Sequence, residues 1–204
     1  MSRGKFITFE GVEGAGKSSV LTAVAERLTA NGQTVIRTRE PGNGQVGSQI
    51  RNILLHSEVE LDVRAEIFLF MADRAQHMTE LIQPALERGD WVLCDRHADS
   101  TVVYQGYARG FDIDKLHEWN AVATQGKMPD LTVLLDLNPE TGLTRQLIAD
   151  RLGGLPLDFH VKVRNGFLKE MELDPVRFEK IDASQPLPQV IDNVYEIIRQ
   201  RFGL

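Results

Sequence analysis

A short apolar run, Phe6-Ile7-Thr8-Phe9-Glu10, leads into Gly11-Val12-Glu13-Gly14-Ala15-Gly16-Lys17-Ser18-Ser19 and then into a helix-forming stretch. The spacing is Gly-x-x-x-x-Gly-Lys-Ser, the P-loop signature, in the strand–loop–helix setting that gives the signature its meaning. Glycines let the backbone turn tightly and aim N–H groups inward. The helix start adds unbonded N–H groups and a positive dipole end. Lys17 supplies a point charge for outer phosphates, and Ser18 a hydroxyl for Mg²⁺. A glycine-rich turn with no ligand is the plain alternative, and the buried-type strand before the loop argues against it. The chain is therefore expected to bind a nucleoside triphosphate and to build an α/β layer structure around that strand.

The rest of the composition narrows the partners. A chain of 204 residues suits one domain, 1–204. A net charge of −6 disfavours a general nucleic-acid or anionic-membrane surface, though a local basic pocket for a small anion stays open. One cysteine, Cys94, excludes an internal disulfide and suits a reducing cytoplasm; set in an apolar run, it reads as buried filler. The N-terminus leads straight into a strand, so no signal peptide is expected, and no apolar run reaches membrane-spanning length. The five histidines show no metal-ligand spacing.

Strand-like and helical patterns alternate, which predicts a parallel sheet flanked by helices. Strands are expected at 5–10, 34–38, 91–94, 131–137 and 178–181. The fourth is nearly all apolar and so is expected at the centre of the sheet. Helices are expected at 17–30, 46–56, 61–88, 100–107, 113–124, 158–172 and 187–201, with another opened by Asn138-Pro139. Pro84 should kink or restart the long one, and Gly106 to Gly110 should form a turn. Gly11–Ser18, Arg39-Glu40 and Asp95-Arg96 each follow the carboxyl end of a strand, the edge where an open parallel sheet binds ligands. No Asp-x-x-Gly switch or Asn-Lys-x-Asp base reader follows the P-loop at a suitable position, which argues against a GTPase. Asp95 can hold Mg²⁺ or its waters, and Arg96 offers a fork to a phosphate.

The P-loop, Thr38-Arg39-Glu40-Pro41-Gly42, Leu69-Phe70-Met71-Ala72-Asp73-Arg74-Ala75, Asp95-Arg96-His97 and Ser100-Thr101-Val102-Val103-Tyr104-Gln105-Gly106 occur in that order. Together they resemble the bacterial thymidylate kinase family over essentially the full length. The resemblance implies a three-layer P-loop kinase fold with a five-stranded parallel sheet and a short lid segment at about 150–158. It implies transfer of the ATP γ-phosphoryl group to dTMP, with Mg²⁺ held near Ser18 and Asp95, in a cytoplasmic homodimer. The nucleophile would be a phosphate oxygen that is already anionic, so catalysis would rest on alignment and charge rather than on a general base.

The resemblance also assigns roles. Phe70 stacks on the base, Arg74 donates to a base carbonyl, and Thr101 and Gln105 meet the base edge. Tyr104 crowds the sugar 2′ position and Glu13 lies near the 3′-hydroxyl. Arg39, Arg51 and Arg96 serve the monophosphate side, and Glu40 orients water or Mg²⁺. On the donor side, Gly11, Val12, Glu13, Gly14, Ala15, Gly16, Lys17, Ser18 and Ser19 hold phosphates, while Arg145, Ala183 and Ser184 meet the adenine. The P-loop carries no arginine before Gly16-Lys17, so the catalytic arginine is expected in the lid as Arg151, beside Lys17, Arg96 and Asp95. From the residues alone, Phe70 reads as core and Arg74 as the partner of Asp73 or Glu66. The stripe Ile67, Met71 and Met78 is open to either a core or a dimer reading. Another small-molecule kinase and a catalytically silent nucleotide-binding module remain the rival classes.

Overall fold

The computed structural model describes residues 3–145, 151 and 153–204. Five strands form one parallel sheet: β1 (Phe6–Glu10), β2 (Val35–Arg39), β3 (Trp91–Asp95), β4 (Leu131–Asp136) and β5 (Phe178–Asp182), in the order β2-β3-β1-β4-β5. The centre is therefore β1, not β4. Any interior strand of a parallel sheet is covered on both faces and reads as an apolar run, so apolarity marks an interior strand without ranking it. The edge strands β2 and β5 are only partly buried.

Side-chain alternation along the strands builds two faces. Ile7, Phe9, Leu93, Val133 and Leu135 pack with residues of α1 (Lys17–Ala30), α8 (Leu157–Leu173) and α9 (Leu187–Phe202). Phe6, Val92 and Cys94 pack on the other face against Met78, Ile82, Ala85 and Leu86. Full burial of such side chains contributes about 1.5–3 kcal/mol each, and the sheet with helices on both sides makes the three expected layers. The thiol of Cys94 is buried, as its apolar run predicts.

The remaining helices are α2 (Gly44–His56), α3 (Val63–His77), α4 (Gln83–Arg88), α5 (Ala98–Thr101), α6 (Ile113–Ala123) and α7 (Pro139–Arg145). The long helical pattern across 61–88 is interrupted by a π-helical turn at Met78–Ile82, and α4 restarts with Pro84 in its first turn. A second π-helical segment, Val102–Ala108, continues α5 through Gly106. Gly106 is not a turn residue; a Cβ there would lie 3.1 Å from both Ile113 and Leu116, so its smallness lets α6 pack close. Ile67, Met71 and Met78 are buried core. The exposed apolar side chains on that flank are Phe68 and Val122, 57% and 78% exposed, with Phe68 packed 5.2 Å from Trp119. Among the described residues no helix is long and apolar enough to cross a membrane.

Candidate active site

Strand register fixes the site. Phe9 pairs with Asp95, and Asp95 with Arg39, so three chain segments leave the sheet at one level. They open a crevice of about 280 Å³ lined by Glu13, Lys17, Ser18, Arg39, Glu40, Arg51, Phe70, Arg74, Asp95, Arg96, Thr101, Tyr104 and Gln105, among others. This is the carboxyl-edge position at which open α/β sheets take ligands.

On one side stands the P-loop. Gly16 adopts a left-handed conformation immediately before α1. Gly14 comes against α7 so closely that a Cβ would sit 2.0 Å from the Gly142 carbonyl oxygen. Lys17 Nζ donates to the carbonyls of Gly11 and Val12 at 3.0 and 2.8 Å. Burial, reinforced by the Arg96 charge, brings its ammonium down to about 8. Ser18 Oγ donates to Asp95 Oδ2 at 2.5 Å, which puts two hard oxygen donors together at the loop's mouth. Among the described residues no group of three or more His, Cys, Asp or Glu could hold a metal ion, so Mg²⁺ here would depend on phosphate and water oxygens as well.

Arg96 follows β3 with a φ of 68°, a left-handed conformation uncommon outside glycine. Its guanidinium donates to Glu13 Oε1 at 3.0 Å and Ser100 Oγ at 3.2 Å, and lies over the Tyr104 ring at 5.0 Å. Glu13 also accepts from Tyr104 Oη at 2.6 Å and contacts His160 Nδ1 at 3.1 Å. Burial alone would raise the Glu13 carboxyl, but Arg96, His160, Lys17 and Tyr104 hold it well below the carboxylate range.

The other side is a mixed apolar and polar pocket. Phe70 packs with Ile50, Leu54 and Leu55, and Leu155 joins them. Arg74 is nearly inaccessible, and each guanidinium nitrogen is engaged. Nε donates to Glu40 Oε2 at 2.9 Å. Nη1 donates to Asn120 Oδ1 at 2.6 Å and weakly to Met71 Sδ at 3.8 Å. Nη2 donates to the His97 carbonyl and Thr101 Oγ1, both at 3.1 Å. Arg74 thus pairs with Glu40, not with Asp73 or Glu66. Asp73 instead accepts from the Gly42 amide at 3.1 Å, and burial with the nearby Glu40 charge raises its carboxyl to about 6.

Glu40 is buried beneath the crevice, where it accepts from Arg74 and from His77 Nδ1 at 2.9 Å. Burial would raise it, but Arg74, His97 and His77 hold it down to about 2. In this structure its carboxylate is taken up by Arg74 and His77. Arg51 Nη1 donates to the Pro41 carbonyl at 2.7 Å while its stem packs over Gly42.

Arg145 and Ala183 meet away from the crevice, with Arg145 Nη1 on the Ala183 carbonyl at 3.2 Å beside Ser184, whose Oγ donates to Asp182 at 2.6 Å. Arg151 does not line the crevice. Its Nε donates to the Leu54 carbonyl at 2.7 Å and its guanidinium to Glu66, so Arg151 rests on α2 and α3. Asp150 and Leu152 of the expected lid lie outside the described residues.

Several contributing residues carry no local motif. Glu10, wholly buried at the end of β1, accepts from the His97 amide at 2.7 Å and Ser100 Oγ at 2.6 Å, and so ties down the Asp95–Ser100 turn. Burial, and then the neighbouring Asp99, raise its carboxyl to about 7. An acid inside an otherwise apolar strand was the available signal. His77, Asn120 and His160 gave none.

A thymidylate kinase family model matches residues 9–194. A thymidylate kinase from Solidesulfovibrio magneticus is 47% identical over 95% of this chain and 98% of its own length. One from Halalkalibacterium halodurans is 44% identical over all of both chains. The crystal structure of thymidylate kinase from Ehrlichia chaffeensis superposes with a TM-score of 0.79 at 30% identity, covering 96% of this chain and 99% of that one.

Proposed function

This chain belongs to the thymidylate kinase family, and on that premise we propose how its own residues carry the transfer of the ATP γ-phosphoryl group to dTMP, giving dTDP and ADP for dTTP synthesis. The observation that carries the proposal is the division of one crevice. Lys17, Ser18, Asp95 and Arg96 stand at its P-loop side, and Phe70, Arg74, Thr101 and Gln105 at the other.

The P-loop from Gly11 to Ser19 takes the donor phosphates, with Lys17 exchanging the Gly11 and Val12 carbonyls for phosphate oxygens. Arg145, Ala183 and Ser184 take the adenine. Phe70 stacks on thymine. Arg74 is held in place by Glu40 and offers the base an N–H drawn from its weak contact with Met71 or its shared contact with Thr101. Thr101 accepts from Arg74 and keeps its own hydroxyl hydrogen to offer. Arg96, Arg51 and Arg39 take the monophosphate. Tyr104 and Glu13 border the sugar. Ser18 and Asp95 are hard oxygen donors that fit Mg²⁺, which when bound neutralises charge on the phosphates.

The attacking phosphate oxygen of dTMP is anionic, so these residues align the two nucleotides and balance charge as the phosphoryl group moves. Arg151 acts as the lid's cation. To reach the transferring group it must leave Glu66 and the Leu54 carbonyl, and closure of a lid excludes water from that group.

The chain acts as one catalytic domain, 1–204, and pairs as a homodimer through the face of α3 and α6 that carries the exposed Phe68 and Val122 with the half-buried Trp119 between them. Its place is the cytoplasm, where both nucleotides are found.

Coupled ADP release with ATP and a panel of acceptors tests the site. dTMP should drive turnover and thymidine should not. Lys17→Ala and Arg96→Ala should lower kcat/KM by about 10²–10³-fold or more with folded circular-dichroism spectra. Wild-type-like turnover in either variant would defeat the assignment.

A further inference from the structure

Glu66 is wholly buried on the first turn of α3 and lies outside the crevice lining. It gathers three side chains. Gln105 Nε2 donates to its Oε1 at 2.6 Å, Arg109 Nε lies 3.7 Å from the same oxygen, and Arg151 donates to Oε2. The other end of the same Gln105 amide, Oε1, is buried and meets no hydrogen-bond donor, although Gln105 lines the crevice beside Phe70 and Arg74. A buried, unpartnered carbonyl oxygen at a ligand crevice calls for an explanation.

We propose that Glu66 is a positioning residue that fixes which way round the Gln105 amide sits, and so makes the pocket select a pyrimidine whose N3 carries a hydrogen. A carboxylate between two guanidinium groups offers acceptors only. The amide nitrogen of Gln105 must face it, which leaves Oε1 as the end available to a ligand. Thymine presents an N3–H donor to such an acceptor. Cytosine presents an N3 lone pair, and two buried acceptors face to face leave both unsatisfied. Amide orientation is the whole of the discrimination at this atom, because a flipped amide would welcome cytosine instead. The inference rests on the reading of the Phe70–Arg74 pocket as the base site.

The test is kcat/KM for dTMP and for dCMP in six proteins: wild type, Glu66→Asp, Glu66→Gln, Gln105→Ala, and each Glu66 variant combined with Gln105→Ala. Glu66→Asp keeps the charge opposite Arg109 and Arg151 but withdraws the acceptor from Gln105, so it reports even if Glu66→Gln folds poorly. Both Glu66 variants should lower the dTMP-to-dCMP ratio by about tenfold or more, chiefly through a raised KM for dTMP. In a Gln105→Ala background, Glu66→Asp or Glu66→Gln should change the ratio no further, since Glu66 acts through that amide.

A ratio unchanged in both Glu66 variants, with Gln105→Ala lowering it, overturns the positioning role. So does an undiminished Glu66 effect in the Gln105→Ala background, or wild type that phosphorylates dCMP as readily as dTMP. If Gln105→Ala itself leaves both the ratio and the KM for dTMP unaltered, the base-pocket reading beneath the inference is what fails.

Discussion

At the scale of single residues, Lys17 shows how the resting site prepares for its ligand. Its ammonium is buried on two backbone carbonyls, and burial with the Arg96 charge places its proton loss near pH 8 rather than at the ordinary 10.5. The charged form exists below that value and is lost above it. The kcat/KM for ATP, which reports the nucleotide-free enzyme, should therefore fall as pH rises through about 8. The kcat itself should hold to higher pH, because a bound triphosphate favours the charged form. A kcat/KM profile flat to pH 10 would contradict the placement of Lys17. This residue, with Ser18, Asp95 and Arg96, was legible in the sequence because each sits at a fixed offset from a strand end. Glu10 and Glu13 show where such reading stops. Glu10 meets an amide 87 positions away, and Glu13 meets a histidine 147 positions away. No local spacing encodes a partner at that distance.

At the scale of elements, cap signals and hydrophobic periodicity together located the described helices, and Pro84 marked a restart, but nothing in the sequence marked the π-helical winding inside two of the expected helices. A π-helical turn has nearly the same apolar pattern as an α-helical one, so the turn before Pro84 and the segment carrying Tyr104 and Gln105 both read as plain helix. The expected lid segment, about 150–158, is the part of the chain on which the catalytic proposal bears most directly. Its Leu155 packs among Ile50, Leu54 and Phe70, while Arg151 ties it to Leu54 and Glu66. If Arg151 leaves these partners for the transferring phosphoryl group, Arg151→Ala should lower kcat by about a thousandfold or more and change the KM for ATP much less. Steady-state kinetics with both nucleotides varied would separate the cases, and a change confined to KM would leave Arg151 a structural tie alone.

At the scale of the whole molecule, the parallel sheet was legible from alternating segments, and its strand order was not. Residues 6–10 and 131–136 are both interior runs, and only pairing decides which is central. The stripe on α3 that the sequence left open to core or dimer is core: Ile67, Met71 and Met78 point inward, and Phe68, one position on from Ile67, points out. The double variant Phe68→Ser/Val122→Asp should convert a dimer to a monomer in sedimentation equilibrium while leaving the circular-dichroism spectrum intact, and a wild type that is monomeric would remove the pairing proposal.

The Glu13 carboxylate bears on the whole molecule in another way. On the proposed assignment it belongs to the loop that takes the donor, yet its oxygens are shared among Arg96 and Tyr104 toward the acceptor and His160 on α8. If that assignment holds, whichever nucleotide arrives first rearranges partners that the second also uses. The two binding equilibria are then thermodynamically linked, and reciprocity requires that ATP change the affinity for dTMP by the same factor as dTMP changes the affinity for ATP.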